Sequence, residues 1–248
     1  MKKDKTVYVH QRDKIKFKLS IREKIEWTDK QKEFFDIALS KDMRIMLVKG
    51  PAGTSKTLAA VCASLKLLND NKISDIIYTR SAVESSDAKL GYLPGDTNDK
   101  LHFYNLPFLE KLDELLTKED IKTLEADKRI SMFPINFTRG MSWNGKAIIF
   151  DEAQNSSRKE IITITTRLGK FNRLFVLADP RQTDLPASKA GAFEEIFDLF
   201  NKNKEESQKF GIYTFEFTKE DIVRSELVKF LIDMYDKLKP LTNGNGHS

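Results

Sequence analysis

Apolar runs at residues 45–48, 73–79, 130–135, 147–150 and 174–177 suit the strands of a parallel sheet. Between most of them, residues 58–68, 159–168, 190–200 and 225–238 carry apolar side chains at helical spacing. The economical assembly is an α/β fold with a doubly wound, mainly parallel sheet and helices on both faces. Residues 212–217 add a further strand. The interval 96–129 differs, with Leu101, Leu106, Phe108, Leu109, Leu112, Leu115 and Leu116 set among charges. It reads as a helical insertion near the strand tips, either a nucleic-acid or subunit contact or a plain helical cap. Near the start, Ile15, Phe17 and Leu19 alternate with Lys14, Lys16 and Lys18, the pattern of a half-buried edge strand whose lysines discourage edge pairing. The predicted organisation is a basic arm or edge strand over 1–27, one α/β domain over 28–240, and a polar, Gly-bearing tail over 241–248 expected to be disordered.

The first strand candidate runs into Gly50-Pro51-Ala52-Gly53-Thr54-Ser55-Lys56-Thr57, followed by the Ala- and Leu-rich helix. A strand that ends in a Gly-rich turn feeding a helix leaves converging backbone N–H groups unpaired, and the helix dipole adds to their pull on phosphate oxygens. Gly50 and Gly53 let the backbone approach an anion, Lys56 reaches the β- and γ-phosphates, and the Thr57 hydroxyl serves Mg²⁺. The usual pattern is G-x-x-x-x-G-K-[ST], and here Ser55 stands where the second glycine is expected. Ser55 either adds a phosphate hydrogen bond or crowds the loop and slows turnover. The bland alternative for the whole segment is a strand-to-helix turn with a surface lysine.

A second motif says what the triphosphate is for. The run at 147–150 leads into Asp151-Glu152-Ala153-Gln154, a buried strand ending in two acids. Its tip would set Asp151 beside the Mg²⁺ held by Thr57, leaving Glu152 free to take a proton from an attacking water. An acidic helix start is the alternative reading of the same residues.

The loop at 50–57, Asp151-Glu152-Ala153-Gln154-Asn155 and the run Leu177-Ala178-Asp179-Pro180-Arg181-Gln182-Thr183-Asp184-Leu185-Pro186 together resemble PhoH-family ATPases. Thr28-Asp29-Lys30-Gln31, Tyr78-Thr79-Arg80-Ser81-Ala82-Val83-Glu84, Leu90-Gly91-Tyr92-Leu93-Pro94-Gly95-Asp96 and Asp221-Ile222-Val223-Arg224 fit the same family in the expected order. That family is similar to the first motor domain of superfamily 1 helicases. The resemblance implies a RecA-like P-loop NTPase that binds ATP and Mg²⁺. It further implies that Gln31 selects adenine, that Gln182 senses the γ-phosphate and couples it to nucleic acid, and that Arg224 completes a neighbouring subunit's ATP site. Ala178, where the family often shows glycine, could alter the sensor.

Composition fits a globular enzyme domain: 248 residues with 40% hydrophobic content can bury one sizeable core. The lone Cys62 sits on the apolar side of the helix after the loop, and three histidines with one cysteine give no metal-ligand cluster. No apolar run approaches a membrane span and none resembles a signal peptide, so a cytoplasmic location is expected. The net charge of +5 is concentrated in residues 1–27, which hold nine Lys or Arg against four Asp or Glu and leave 33 of each sign over the remainder. With Tyr8 and Phe17 that arm could track a nucleic-acid backbone.

Three classes of function follow. The resemblance favours an ATP-driven motor or remodeller of single-stranded RNA or DNA, with Thr79, Arg80, Arg139 and Trp143 as candidate contacts. Too few residues follow Asp184 for a second motor lobe, so a homo-oligomer, a dimer or a hexameric ring, would supply the missing surface. The alternative is a nucleotide-gated binding or assembly protein with slow, unstimulated hydrolysis. A P-loop kinase is a third reading, which the pairing of Asp151 and Glu152 with Gln154 fits less well than water activation.

Overall fold

The run Ile45–Lys49 forms strand β1, one place in from the edge of a six-stranded sheet, between strand β5 (Arg173–Ala178) and the edge strand β6 (Ile212–Glu216). The remaining strands are β2 (Asp75–Arg80), β3 (Ile130–Met132) and β4 (Lys146–Asp151), giving the order β3-β2-β4-β5-β1-β6. All five pairings are parallel. This computed structural model describes residues 14–22, 24–81, 97–135, 143–185 and 190–223, and positions 227, 230, 231 and 234; over 97–104 it describes the backbone alone.

Side chains on the inner strands alternate between two cores, as the two-residue period of a strand requires. Met46, Val48, Tyr78, Ile149, Phe175 and Leu177 enter one cluster, with helices α1 (Asp29–Ala38), α2 (Lys56–Asn69), α3 (Thr97–Leu115) and α4 (Lys118–Ala126). Leu47, Ile77, Ile148, Phe150, Leu174 and Val176 enter the other, under helices α5 (Arg158–Thr165) and α6 (Ala192–Lys202). A short helix α7 (Lys204–Lys209) leads into β6. The doubly wound α/β expectation holds. In α2 the small residues Ala59, Ala60, Cys62 and Ala63 are all buried against the first core, and burial pushes the Cys62 thiol up to about 11.

The predicted insertion is the helical pair α3 and α4, and Phe108, Leu112, Leu115, Leu116 and Leu124 put it inside the first core. Strand β3 stops at Met132 rather than running to Ile135: Phe133 N–H still bonds Tyr78 C=O at 3.2 Å, but Pro134 has no N–H to continue the ladder. The edge-strand expectation for residues 14–19 is corrected. Ile15 and Leu19 are buried and the intervening lysines exposed, yet the segment pairs with no strand. Its backbone groups bond to helices instead: Leu19 N–H to Asn69 Oδ1 at 2.9 Å, Asn69 Nδ2 back to Leu19 C=O at 3.0 Å, and Arg22 N–H to Leu115 C=O at 2.8 Å. The segment is a strap across α2 and α3. No helix among the described residues is long and apolar enough to cross a membrane. The predicted helix at 225–238 and the tail at 241–248 lie largely or wholly outside the described residues.

Candidate active site

At the carboxyl end of β1 the chain turns through residues 50–55 and starts α2 at Lys56. Gly50 is required by close approach: a Cβ there would meet the Phe217 Cβ at 2.7 Å, and Phe217 N–H bonds Lys49 C=O at 2.8 Å. Gly53 has φ of +88°, the left-handed region that glycine enters without strain. Ser55, the residue standing for the expected glycine, has φ 61° and ψ 27° and is left-handed too. The loop therefore keeps the backbone path a glycine would allow and carries strain of about 1–2 kcal/mol at Ser55. Ser55→Gly is expected to raise the unfolding free energy by about 1 kcal/mol, because relief of that strain exceeds the added freedom of the unfolded chain; thermal melts of the two proteins check it.

The loop is braced from several elements. Gly50 N–H bonds Ala178 C=O at 3.2 Å, Ala52 N–H bonds Asp179 Oδ2 at 2.7 Å, and Val223 N–H bonds Gly53 C=O at 2.9 Å. Thr54 Oγ1 closes the turn on Pro51 C=O at 2.9 Å. Ala178 is a strand residue packed in the second core, and it also lines the cleft. Lys56 Nζ lies over the loop, donating to Gly50 C=O at 2.6 Å and Pro51 C=O at 2.9 Å. Burial lowers its pKa, and the charges of Asp179, Asp151 and Glu152 oppose that shift.

Asp151 and Thr57 meet as their spacing suggested, Thr57 Oγ1 lying 3.0 Å from Asp151 Oδ2 and 3.2 Å from Oδ1. Tyr78 OH also donates to Oδ2, at 3.0 Å, from a ring stacked on Phe108 of α3 with centroids 4.9 Å apart. Two hard oxygen donors on facing elements fit Mg²⁺, which keeps most of its water and takes one or two protein ligands. Among the described residues no cluster of three His, Cys, Asp or Glu offers a denser metal site.

Glu152 follows in a left-handed conformation, φ 54° and ψ 39°, which turns the chain sharply out of the sheet. Its carboxyl pKa is raised, first by burial and then by the Asp151 charge, against the opposing Gln154 hydrogen bond and the charges of Arg80 and Lys56. Gln154 is the residue the sequence undervalued. Its Nε2 donates to Glu152 Oε2 and to Gln182 C=O at 3.2 Å, and its Oε1 accepts from Asp179 N–H at 3.1 Å. Asn155 binds the same loop twice, Nδ2 to Asp184 Oδ2 at 3.1 Å and Oδ1 from Asp184 N–H at 2.7 Å. The two motifs thus form one unit, a connection that sequence order alone does not display.

These residues surround a cleft of about 280 Å³ lined by the loop, Asp151, Glu152, Gln154, Asp179 and Gln182, and also by Lys111 and Glu114 of α3. Gln31 does not line it. Its side chain is 1% exposed, with Oε1 accepting from Thr28 N–H at 3.0 Å in a capping box and Nε2 donating to Thr54 C=O at 3.3 Å. Gln31 braces the loop from behind rather than offering an amide edge to adenine. Trp143 and Thr79 are buried, at 2% and 0% exposure, so neither presents a face to a nucleic acid. Arg80 is half-buried at the tip of β2. Arg139 and Arg224 lie outside the described residues.

A strand-loop-helix cradle, a hydroxyl and carboxylate that meet beside it, and a second acid on the strand two places across place the chain among the P-loop NTPases. A family profile described as PhoH-like protein matches residues 24–236. The chain belongs to the PhoH-like protein family. It is similar to the PhoH-like proteins of Mycobacterium tuberculosis (31% identical over 195 residues, 79% of this chain and 53% of the relative), Synechocystis sp. (30% over 210 residues, 85% and 61%) and Bacillus subtilis (32% over 207 residues, 84% and 62%). The chain thus spans between about half and three-fifths of the length of these relatives.

Proposed function

We propose that this protein is a cytoplasmic ATPase that binds Mg·ATP in the cleft and transfers the γ-phosphoryl group to water. The observation that carries this reading is the meeting of Thr57 with Asp151, with Glu152 one residue on in a half-buried, left-handed position. Thr57 and Asp151 would hold Mg²⁺, which when bound neutralises charge on the phosphate oxygens. Lys56 exchanges the loop carbonyls for the β- and γ-phosphates. Glu152 accepts the proton of the attacking water on a carboxylate oxygen, oriented by Gln154 Nε2. Gln182, tied to Gln154 through its own carbonyl, is set to report the γ-phosphate. Phosphate release with Mg·ATP tests the reading, and a phosphorylated acceptor accumulating in place of free phosphate would favour a kinase instead.

Hydrolysis is proposed to drive binding to, movement on or remodelling of single-stranded RNA or DNA. A groove between residues 14–17 and α4, lined by Lys14, Lys16 and Lys122 beside Phe17, supports a polyanion contact, while Arg129 at its floor is buried and paired with Asp127. Addition of single-stranded RNA or DNA is expected to raise turnover, and indifference to both favours the second reading, a nucleotide-gated assembly protein. The strained Ser55 is the observation on that side.

A homo-oligomer, such as a hexameric ring, is supported by Val223, Leu227, Phe230, Leu231 and Met234, which recur at helical spacing and are 37–66% exposed. Arg224 follows Val223 in the sequence and is proposed to complete a neighbour's ATP site. Arg224→Ala is then expected to lower kcat by about 10²-fold or more with Mg·ATP affinity nearly kept. Mixing Arg224→Ala with Lys56→Ala subunits, each inactive alone, would restore activity only if the arginine acts across the interface.

A further inference from the structure

Helix α3 brings an ion pair to the phosphate side of the cleft. Lys111 and Glu114 are bonded to each other, and both line the space enclosed by Lys56, Thr57, Asp151 and Glu152. The helix that carries them is fixed by the adjoining face: Phe108, Leu112 and Leu115 are fully buried, and Phe108 stacks on the Tyr78 ring whose hydroxyl bonds Asp151. The Lys111 side chain is 29% exposed and that of Glu114 45%, so the pair is half in water.

The cleft is rich in acid. Asp151, Glu152, Asp179 and Glu114 face it against the two lysines, 56 and 111. A triphosphate entering such a space brings further negative charge and needs every cation within reach. A half-exposed pair three residues apart on a helix is a weak attachment, whereas an ammonium on a phosphate oxygen makes a charge-assisted hydrogen bond at close to full strength. The exchange therefore favours the nucleotide.

We propose that Lys111 is a second phosphate-binding lysine of this site, held by Glu114 and handed to the terminal phosphates when Mg·ATP binds. Glu114 acts as its competitor, setting how much triphosphate is needed to draw Lys111 away. Because Phe108 of α3 also stacks on Tyr78, whose hydroxyl bonds Asp151, the same helix supports the metal carboxylate and supplies the lysine. This inference rests on the cleft being an ATP site.

Calorimetric titration of wild type, Lys111→Ala, Lys111→Arg and Glu114→Gln with Mg·ATP and with AMP separates the cases. Lys111→Ala is expected to weaken Mg·ATP about tenfold and leave AMP unchanged, since AMP lacks the terminal phosphates. Lys111→Arg is expected to retain most of the affinity. Glu114→Gln is expected to tighten Mg·ATP several-fold, because a competing carboxylate is gone. Equal affinity of Lys111→Ala and wild type for Mg·ATP overturns the proposal, as does a weaker Glu114→Gln or a loss that is the same for AMP. A wild type that ignores Mg·ATP altogether overturns the ATP-site reading and this inference with it, whereas tight wild-type binding with an indifferent Lys111→Ala overturns this inference alone.

Discussion

Glu152→Gln is expected to lower phosphate release by about 10²–10⁴-fold, the usual contribution of a positioned general base. Affinity for Mg·ATP should stay within about threefold, because the amide keeps the shape of the carboxylate and the ligands of the metal pair are untouched. The wild-type pH profile carries a second signature. Burial and the neighbouring Asp151 charge raise the Glu152 pKa above its ordinary carboxylate value, and only the ionised form accepts a proton. Turnover should therefore climb as pH rises through a range above the usual carboxylate titration, and that limb should vanish in Glu152→Gln. The same shift has a stability consequence of opposite benefit. The folded state holds this proton more tightly than the unfolded chain, so its contribution is fully present at low pH and is lost as pH rises through the folded-state pKa. Stopped-time phosphate assays across pH check the first point and denaturant titrations the second.

Gln154→Ala is expected to reduce turnover by about 10²-fold and stability by about 1–3 kcal/mol, the latter because the Asp179 N–H loses its acceptor in a buried setting. The amide of Gln154 serves Glu152, Asp179 and Gln182 at once, and Asp179 in turn holds the Ala52 N–H of the phosphate loop. Removing it frees Glu152, loosens the loop and separates Gln182 from both. Affinity for Mg·ATP should fall less than turnover, since the Lys56 and Thr57 contacts remain. Gln154→Glu separates charge from shape: it keeps the bonds from donors but faces Glu152 with a like charge, so its rate should fall further while the pH limb moves up. Parallel measurement of kcat, Mg·ATP affinity and unfolding distinguishes these outcomes.

Most of the sheet and the heart of the cleft were legible because they are local. The strand runs ending at Val48, Phe150 and Leu177 are continuous apolar stretches, and the spacing of Gly50, Gly53, Lys56 and Thr57 is set by one turn. The pairing of Thr57 with Asp151 was also readable, since parallel strands in one sheet bring their tips to one edge. What the sequence did not convey depends on contacts between distant segments. Gln31 has the right neighbours for a base-reading residue, but its amide is consumed by Thr28 and Thr54, a geometry visible only once α1 is docked behind the loop. Trp143 looked like a stacking face and is core, because its partner Leu168 lies beyond β4 and α5. The strap at 14–22 has the alternation of a strand, yet Asn69 and Leu115 supply its hydrogen bonds. Lys111 and Glu114 sit in the stretch that reads only as a helical insertion, and the packing of α3 against α2 and Tyr78 of β2 brings them to the cleft.

The seat of the phosphate loop has a bearing on the order in which a ribosome completes the enzyme. Strand β1 is made before β6, yet β6 is one of its two neighbours, with Ile45 paired to Ile212, and Gly50 rests against Phe217. A nascent chain that has emerged as far as α6 already contains the loop, both acids and the glutamine hub, while one wall of the loop is still unmade. Such long-range pairing is slow to form. A product stopped before Phe217 would carry the loop, both acids and the glutamine hub without one of the walls that seat the loop.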